Sequence, residues 1–215
     1  MTRSIMPAFQ RNEYAAIYVG RLLAGYGELE FDLANCVSGV LGEDKETGFR
    51  VLFRAKGESA RIDIADAILF PFYKAAGLRD VYKTFLGAMR HCKTIRNQYA
   101  HCHWLDRDGV VYFVDLDTPV KRETGIPLAF VPVTKELLKQ QEEFFCYCAE
   151  LLIFLSCEYL RRAGRLANHP WSIPAVMAEP PLHAPRDDYP APLPDPIPHK
   201  LTKPAQDKSD SADNL

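Results

Sequence analysis

Proline is spread so unevenly along this chain that it divides it in two: 11 of the 16 prolines lie between Ala167 and Leu215. Proline donates no backbone hydrogen bond and pushes the residue before it out of the helical region. The run PPLHAPRDDYPAPLPDPIP therefore cannot continue a helix, and it offers little apolar surface to bury. Residues 167–215 read as a disordered, partly polyproline-II tail. Trp171 and Ile173 are the side chains expected to dock back, with nothing foldable beyond Ala175. The foldable unit is then residues 8–166, which keep only four prolines and so permit long helices.

Within that unit the apolar residues recur every three or four positions. Tyr14, Ile17, Tyr18, Leu22, Leu29, Leu33, Val37 and Val40 predict a long first helix ended by Gly42. Glycines 20, 25 and 27 predict a bend or a close helix contact in its middle. Ser59 is the expected N-cap of a second helix carrying Ile62, Ile64, Ile68, Leu69 and Phe72, kinked by Pro71 and closed by Gly77. A third helix is expected over 79–101. A fourth spans about 135–162, capped by Thr134 with Glu136 in its first turn. Between these two the period changes. VVYFVDL (110–116) and PLAFVPV (127–133) are β-prone, Asp108-Gly109 is a turn signal, and Pro127 and Pro132 confine the second run to an edge. The expected fold is mainly α: four helices with a small β-hairpin (about 108–133) inserted before the last one.

Composition removes several function classes. The net charge of −2 excludes a molecule that binds nucleic acid through its overall field, leaving only a local basic surface. The N-terminus lacks the apolar core of a signal peptide, and Glu150 and Glu158 interrupt the most apolar stretch, 144–160. A cytoplasmic protein without a membrane span is expected. The six cysteines, at 36, 92, 102, 146, 148 and 157, then read as small buried hydrophobes in a reducing compartment. No phosphate-loop, dinucleotide, zincin or hydrolase motif is present, and no cofactor is expected. The cluster of His91, Cys92, His101, Cys102 and His103 raises the question of zinc. Cys92 belongs to an apolar stripe, however, and Cys146-Tyr147-Cys148 on a helix splays its thiols by about 200°, so no metal is expected.

The chemistry concentrates on the third helix. At about 100° per residue, Val81, Phe85, Ala88, Met89, Cys92, Ile95 and Tyr99 form its core stripe. Arg90, Lys93, Asn97 and His101 group opposite, with Arg96 at the boundary. Asn97 and His101 are i, i+4 neighbours directed to water or to a second molecule, on a helix rich in cations. A histidine can accept and return a proton near neutral pH, and an arginine presents fixed donors to phosphate oxygens. Such a set could assist attack of an RNA 2′-hydroxyl on the adjacent phosphate without a metal. Arg90 and Lys93 are the candidate phosphate contacts. The plainer alternative is structural: His101 ends a helix, and Arg96 bridges to Glu28, Glu30 or Asp32 on the first helix.

Arg96-Asn97-Gln98-Tyr99-Ala100-His101 resembles the R-N-x-x-A-H signature of the HEPN superfamily. The likeness in sequence covers about ten residues, and the helix order extends it over 8–166. It implies a four-helix up-and-down bundle and, in many members, a metal-independent RNA-cleaving toxin or defence nuclease. In that case Arg96 would bind phosphate, Asn97 orient the site and His101 act as acid and base. It also implies a homodimer with two motifs lining one cleft, RNA as substrate and an antitoxin protein as possible partner. Separately, Phe144, Phe145, Tyr147, Phe154 and Tyr159 cover more than one helix face; core packing is the default explanation, and a dimer interface is the natural use for any excess. Other members of the superfamily are non-catalytic binding, scaffolding or sensor modules. The hairpin before the last helix departs from the minimal form.

Overall fold

The structure, a computed structural model, describes residues 5–42, 45–115, 130–168 and 170–182. These residues are mainly helical, with six helices and a small three-stranded sheet. Pro7 opens a short helix, α1 (Pro7–Arg11), at the position where its missing N–H matters least. Helix α2 (Glu13–Val40) follows the predicted spacing from Leu22 onward, burying Leu22, Leu29, Leu33, Val37 and Val40; in its first turns Ala15 and Val19 are buried instead, and Ile17, expected on the apolar face, is exposed. It stops before Gly42, whose φ of 102° suits glycine alone.

A helix the sequence reading missed, α3 (Lys45–Arg54), comes next and packs on α2. Here the close approach expected at glycines 20, 25 and 27 is relocated. Gly20 and Gly27 face open space, and Gly25 has only a Phe145 ring carbon 3.9 Å from where a Cβ would sit. A Cβ on Gly48 of α3, by contrast, would fall on the Ala34 carbonyl and the Ser38 hydroxyl, and 2.8 Å from Ser38 N. The Gly48 N–H uses that proximity to donate to Ser38 Oγ at 3.2 Å.

Helix α4 (Glu58–Ala75) starts two residues earlier than expected, and Gly57 at φ 90°, not Ser59, is its N-cap. Ser59 instead accepts a hydrogen bond from Lys93 Nζ at 2.8 Å. The helix continues through Pro71, and Gly77 (φ 72°) follows its end. Helix α5 (Arg79–Ala100) carries the predicted stripe, with Tyr82 added to its buried face. Helix α6 (Lys135–Arg162) has the expected Thr134 cap, whose hydroxyl accepts from Leu137 N at 3.1 Å.

The sheet consists of β1 (Cys102–Arg107), β2 (Val110–Asp115) and β3 (Val131–Pro132), antiparallel in that order. The tight hairpin is therefore β1–β2, which begins at Cys102 rather than near 108. Asp108 and Gly109, with φ of 52° and 82°, form its two-residue turn. The expected pairing of 110–116 with 127–133 survives as Phe113↔Val131 and Tyr112↔Pro132, on the edge that a proline requires. Residues 116–129 lie outside the described residues.

Helices α2, α4, α5 and α6 pack on one another around a shared core. Phe9, Tyr99, Trp104 and Phe113 join the sheet to it through ring contacts of 5.0–6.0 Å. Phe144, Phe145 and Tyr147 are buried, and Phe154 and Tyr159 pack partly against the same core, so the aromatic excess of α6 is used inside the chain. At the far end of α6, buried Glu158 holds Arg161 and Arg162 at 2.7 Å. Arg162 Nη1 donates to the Ala76 carbonyl just past α4, and Arg165 Nη2 to the Gly39 carbonyl in the last turn of α2, both at 2.6 Å.

The tail also departs from expectation. Trp171 and Ile173 stay exposed, at 51% and 54%. Residues beyond Ala175 dock instead: Pro180 is buried and Leu182 packs against the core. The remainder, 183–215, lies outside the described residues. The cysteines are not uniformly buried either, since Cys146 is exposed and Cys102 and Cys157 are half-buried. Burial pushes the Cys36 thiol up to about 12 and also raises Cys92, Cys146 and Cys157, so none of the four is a ready nucleophile. Among the described residues no helix is long and apolar enough to cross a membrane.

Candidate functional site

The site lies where the C-terminal half of α5 runs beside the N-terminal half of α4. The core stripe of α5 fixes its rotation, which turns Arg90, Lys93, Arg96 and Asn97 away from the core centre. That face does not open wholly onto solvent, because α4 meets it with a ladder of polar groups. Arg90 Nη2 reaches Asp63 Oδ1 at 3.3 Å, Lys93 reaches Ser59, and Arg96 Nη1 reaches Glu58 Oε1 at 2.8 Å. The same Arg96 nitrogen donates to Asn97 Oδ1 at 2.9 Å. Three expected site cations thus each have a partner on α4.

Arg96 and Glu58 are half-buried, with side chains 28% and 23% exposed. The expected partners of Arg96 were on α2, but Glu30 there is taken by Arg61, whose Nη1 donates to both carboxylate oxygens at 3.0 and 2.9 Å. Arg61 stands one turn beyond Glu58 on α4, so one helix face carries both halves of the arrangement. Glu58 itself sits in the first turn of α4, where a carboxylate interacts well with the helix dipole. Beneath the pair, the buried Tyr26 hydroxyl has no hydrogen-bond partner among the described residues. Burial holds it above the usual phenol range; the Glu30 and Glu58 carboxylates add to this and Arg96 opposes it.

His101 lies just past the last residue of α5, where the chain turns into β1, and its side chain is exposed. Its backbone N–H donates to the Asn97 carbonyl at 3.2 Å, which keeps the Asn97–His101 relation helical. Arg96 is turned about 140° from His101 around the axis, so the hydrogen-bonded Arg96–Asn97 pair, not Arg96 alone, connects the guanidinium to the histidine side of the helix. Exposed imidazole, half-buried amide and anchored guanidinium thus lie along one stretch of the helix within one chain.

Of the possible metal ligands, His91 contacts the C-terminal segment, Cys92 is buried, and Cys102 Sγ donates to the Tyr99 carbonyl. Among the described residues no three His, Cys, Asp or Glu side chains are grouped to share an ion. The residues that sequence reasoning missed are Glu58, Tyr26 and Gln141. The last, at 0% exposure, accepts the Tyr99 hydroxyl at 2.7 Å. Gly57 before Glu58 is the one local signal that α4 begins at the carboxylate rather than at Ser59. Compared with known proteins, the chain matches no family model, no curated protein and no solved structure.

Proposed function

We propose that this protein is a HEPN-like, metal-independent endoribonuclease of toxin or phage-defence type, acting in the cytoplasm as a homodimer. The observation that carries the reading is the exposed His101 one helical turn beyond the hydrogen-bonded Arg96–Asn97 pair. The mutual packing of α2, α4, α5 and α6 supports the four-helix HEPN-like bundle as its frame.

The chemistry follows from the residue types. His101 removes the proton from an RNA 2′-hydroxyl, whose oxygen attacks the adjacent phosphorus. The bond to the 5′-oxygen breaks, and that oxygen takes a proton from the imidazolium of the second copy. Arg96 exchanges the Glu58 carboxylate for a non-bridging phosphate oxygen and stabilises the charge that develops there. Asn97 holds the guanidinium in register, and Arg90 and Lys93 bind flanking phosphates. The products carry 2′,3′-cyclic phosphate and 5′-hydroxyl ends. An antitoxin protein would act by covering this surface.

A second reading, a non-catalytic HEPN-like binding, scaffolding or sensor module, is favoured by one observation: Arg96 is already paired with Glu58 in its own chain. Purified protein incubated with mixed cellular RNA in EDTA, beside Arg96→Ala and His101→Ala proteins of verified fold, separates the two. Cleavage by the unsubstituted protein alone supports the nuclease. No cleavage, or equal cleavage by all three, transfers the conclusion to the binding module.

A further inference from the structure

Gln141 on α6 is fully buried, and its side chain is fixed in one orientation. Because its Oε1 accepts the Tyr99 hydroxyl at 2.7 Å, Nε2 must face the other way with two N–H donors. Those donors meet the backbone of the C-terminal segment, at the Pro181 carbonyl (2.8 Å) and the Leu182 carbonyl (3.4 Å). On α5, His91 Nε2 lies 2.9 Å from the Pro180 carbonyl and Nδ1 lies 3.4 Å from a Glu179 carboxylate oxygen. Two side chains therefore read three successive carbonyls and one acidic group. Pro180 and Leu182 provide the apolar anchors, one buried and the other packed on the core.

This is the pattern by which folded domains recognise short extended peptides. Consecutive prolines hold the chain extended and present carbonyls with no N–H to compete for them. The lead-in to the segment does not share its attachment: Trp171, Ile173, Val176 and Met177 are all exposed. The segment is thus a short docked stretch on an exposed tether, separable from the helical core.

We propose that the groove between α5 and α6 is a binding site for an extended acidic-Pro-Pro-aliphatic peptide, and that Glu179–Leu182 is its intramolecular ligand. The assignment is independent of the nuclease reading. Its floor is nonetheless connected to the motif, because the Tyr99 that fixes Gln141 lies two residues before His101.

The test uses full-length protein and a fluorescein-labelled peptide, AVMAEPPLHAPR, corresponding to residues 175–186. In the unsubstituted protein the tethered segment competes at an effective concentration on the order of millimolar. Leu182→Asp, a change in the docked segment and not in the groove, leaves the groove open. By fluorescence anisotropy the peptide is expected to bind the Leu182→Asp protein at least about tenfold more tightly, and a peptide with the same Leu→Asp change is expected to bind neither. In nitrogen-15 spectra the Gln141 side-chain amide should move on Leu182→Asp and return when peptide is added. An unmoved Gln141 resonance overturns the proposal, as does peptide binding that is absent from both proteins or equal in both. A dimer that Leu182→Asp dissociates would also overturn it, by seating a second copy's segment in the groove.

Discussion

Removing either partner of the Arg96–Glu58 pair should destabilise the protein, and removing both should cost less than the sum. The side chains meet at 2.8 Å and are 28% and 23% exposed, between the fully solvated and fully buried limits. At an effective dielectric of about 20, two charges about 4 Å apart attract by roughly 4 kcal/mol, most of which desolvation offsets. Exposed pairs keep about 0.2–1 kcal/mol, so a coupling of about 1–1.5 kcal/mol is expected here. Arg96→Ala should be the costlier single change, because Arg96 also donates to Asn97. A double-mutant cycle with Glu58→Ala, Arg96→Ala and the double variant, read by urea denaturation and far-ultraviolet circular dichroism, measures the coupling directly. A coupling below about 0.3 kcal/mol, within the scatter of independent sites, would refute the reasoning. The same pair bears on function: if a phosphate must displace Glu58, then Glu58→Gln should tighten binding of a non-cleavable, 2′-deoxy-substituted RNA several-fold.

Gly48→Ala should destabilise by about 2–3 kcal/mol, since overpacking and a strained hydrogen bond outweigh the gain in helix propensity. Gly27→Ala, facing open space in α2, should instead stabilise by about 0.5–1 kcal/mol; thermal melts of the two proteins should shift in opposite directions. His91→Ala should weaken docking of the C-terminal segment several-fold, because the His91 ring meets both the Pro180 carbonyl and the Glu179 carboxylate; anisotropy of the labelled peptide checks this. The His91 ring also meets Phe144 on α6 edge-on.

What could be read from the sequence was what repeats locally. The apolar period of α2, α5 and α6 emerges from residues a turn apart, and the Thr134 cap and Asp108-Gly109 turn are each written in a few adjacent positions. Helix α3 was hidden because Gly48 sits in its middle, and the reason for that glycine is a neighbour on α2 ten residues earlier. Strand β1 was hidden because Cys102 and His103 directly follow the motif and drew attention as metal-ligand candidates. The motif residues themselves were legible, as was the direction of their helix face. Their partners were not: Glu58 and Asp63 belong to another helix, and nothing within α5 specifies where α4 will lie. The docked tail was obscured for a different reason, since proline-rich composition argues against a core of its own but not against lying on a core made elsewhere.

Arg162 and Arg165 give the end of α6 a role beyond its own length. By reaching the Ala76 and Gly39 carbonyls, they tie off the last turns of α4 and α2 from outside those helices. Fraying of one terminus therefore loosens the others, so three helix ends should open as one unit in native-state hydrogen exchange. It follows that a shortened chain ending just before Arg161 would lose more than a few terminal residues, and the smallest autonomous folding unit must run through Arg165.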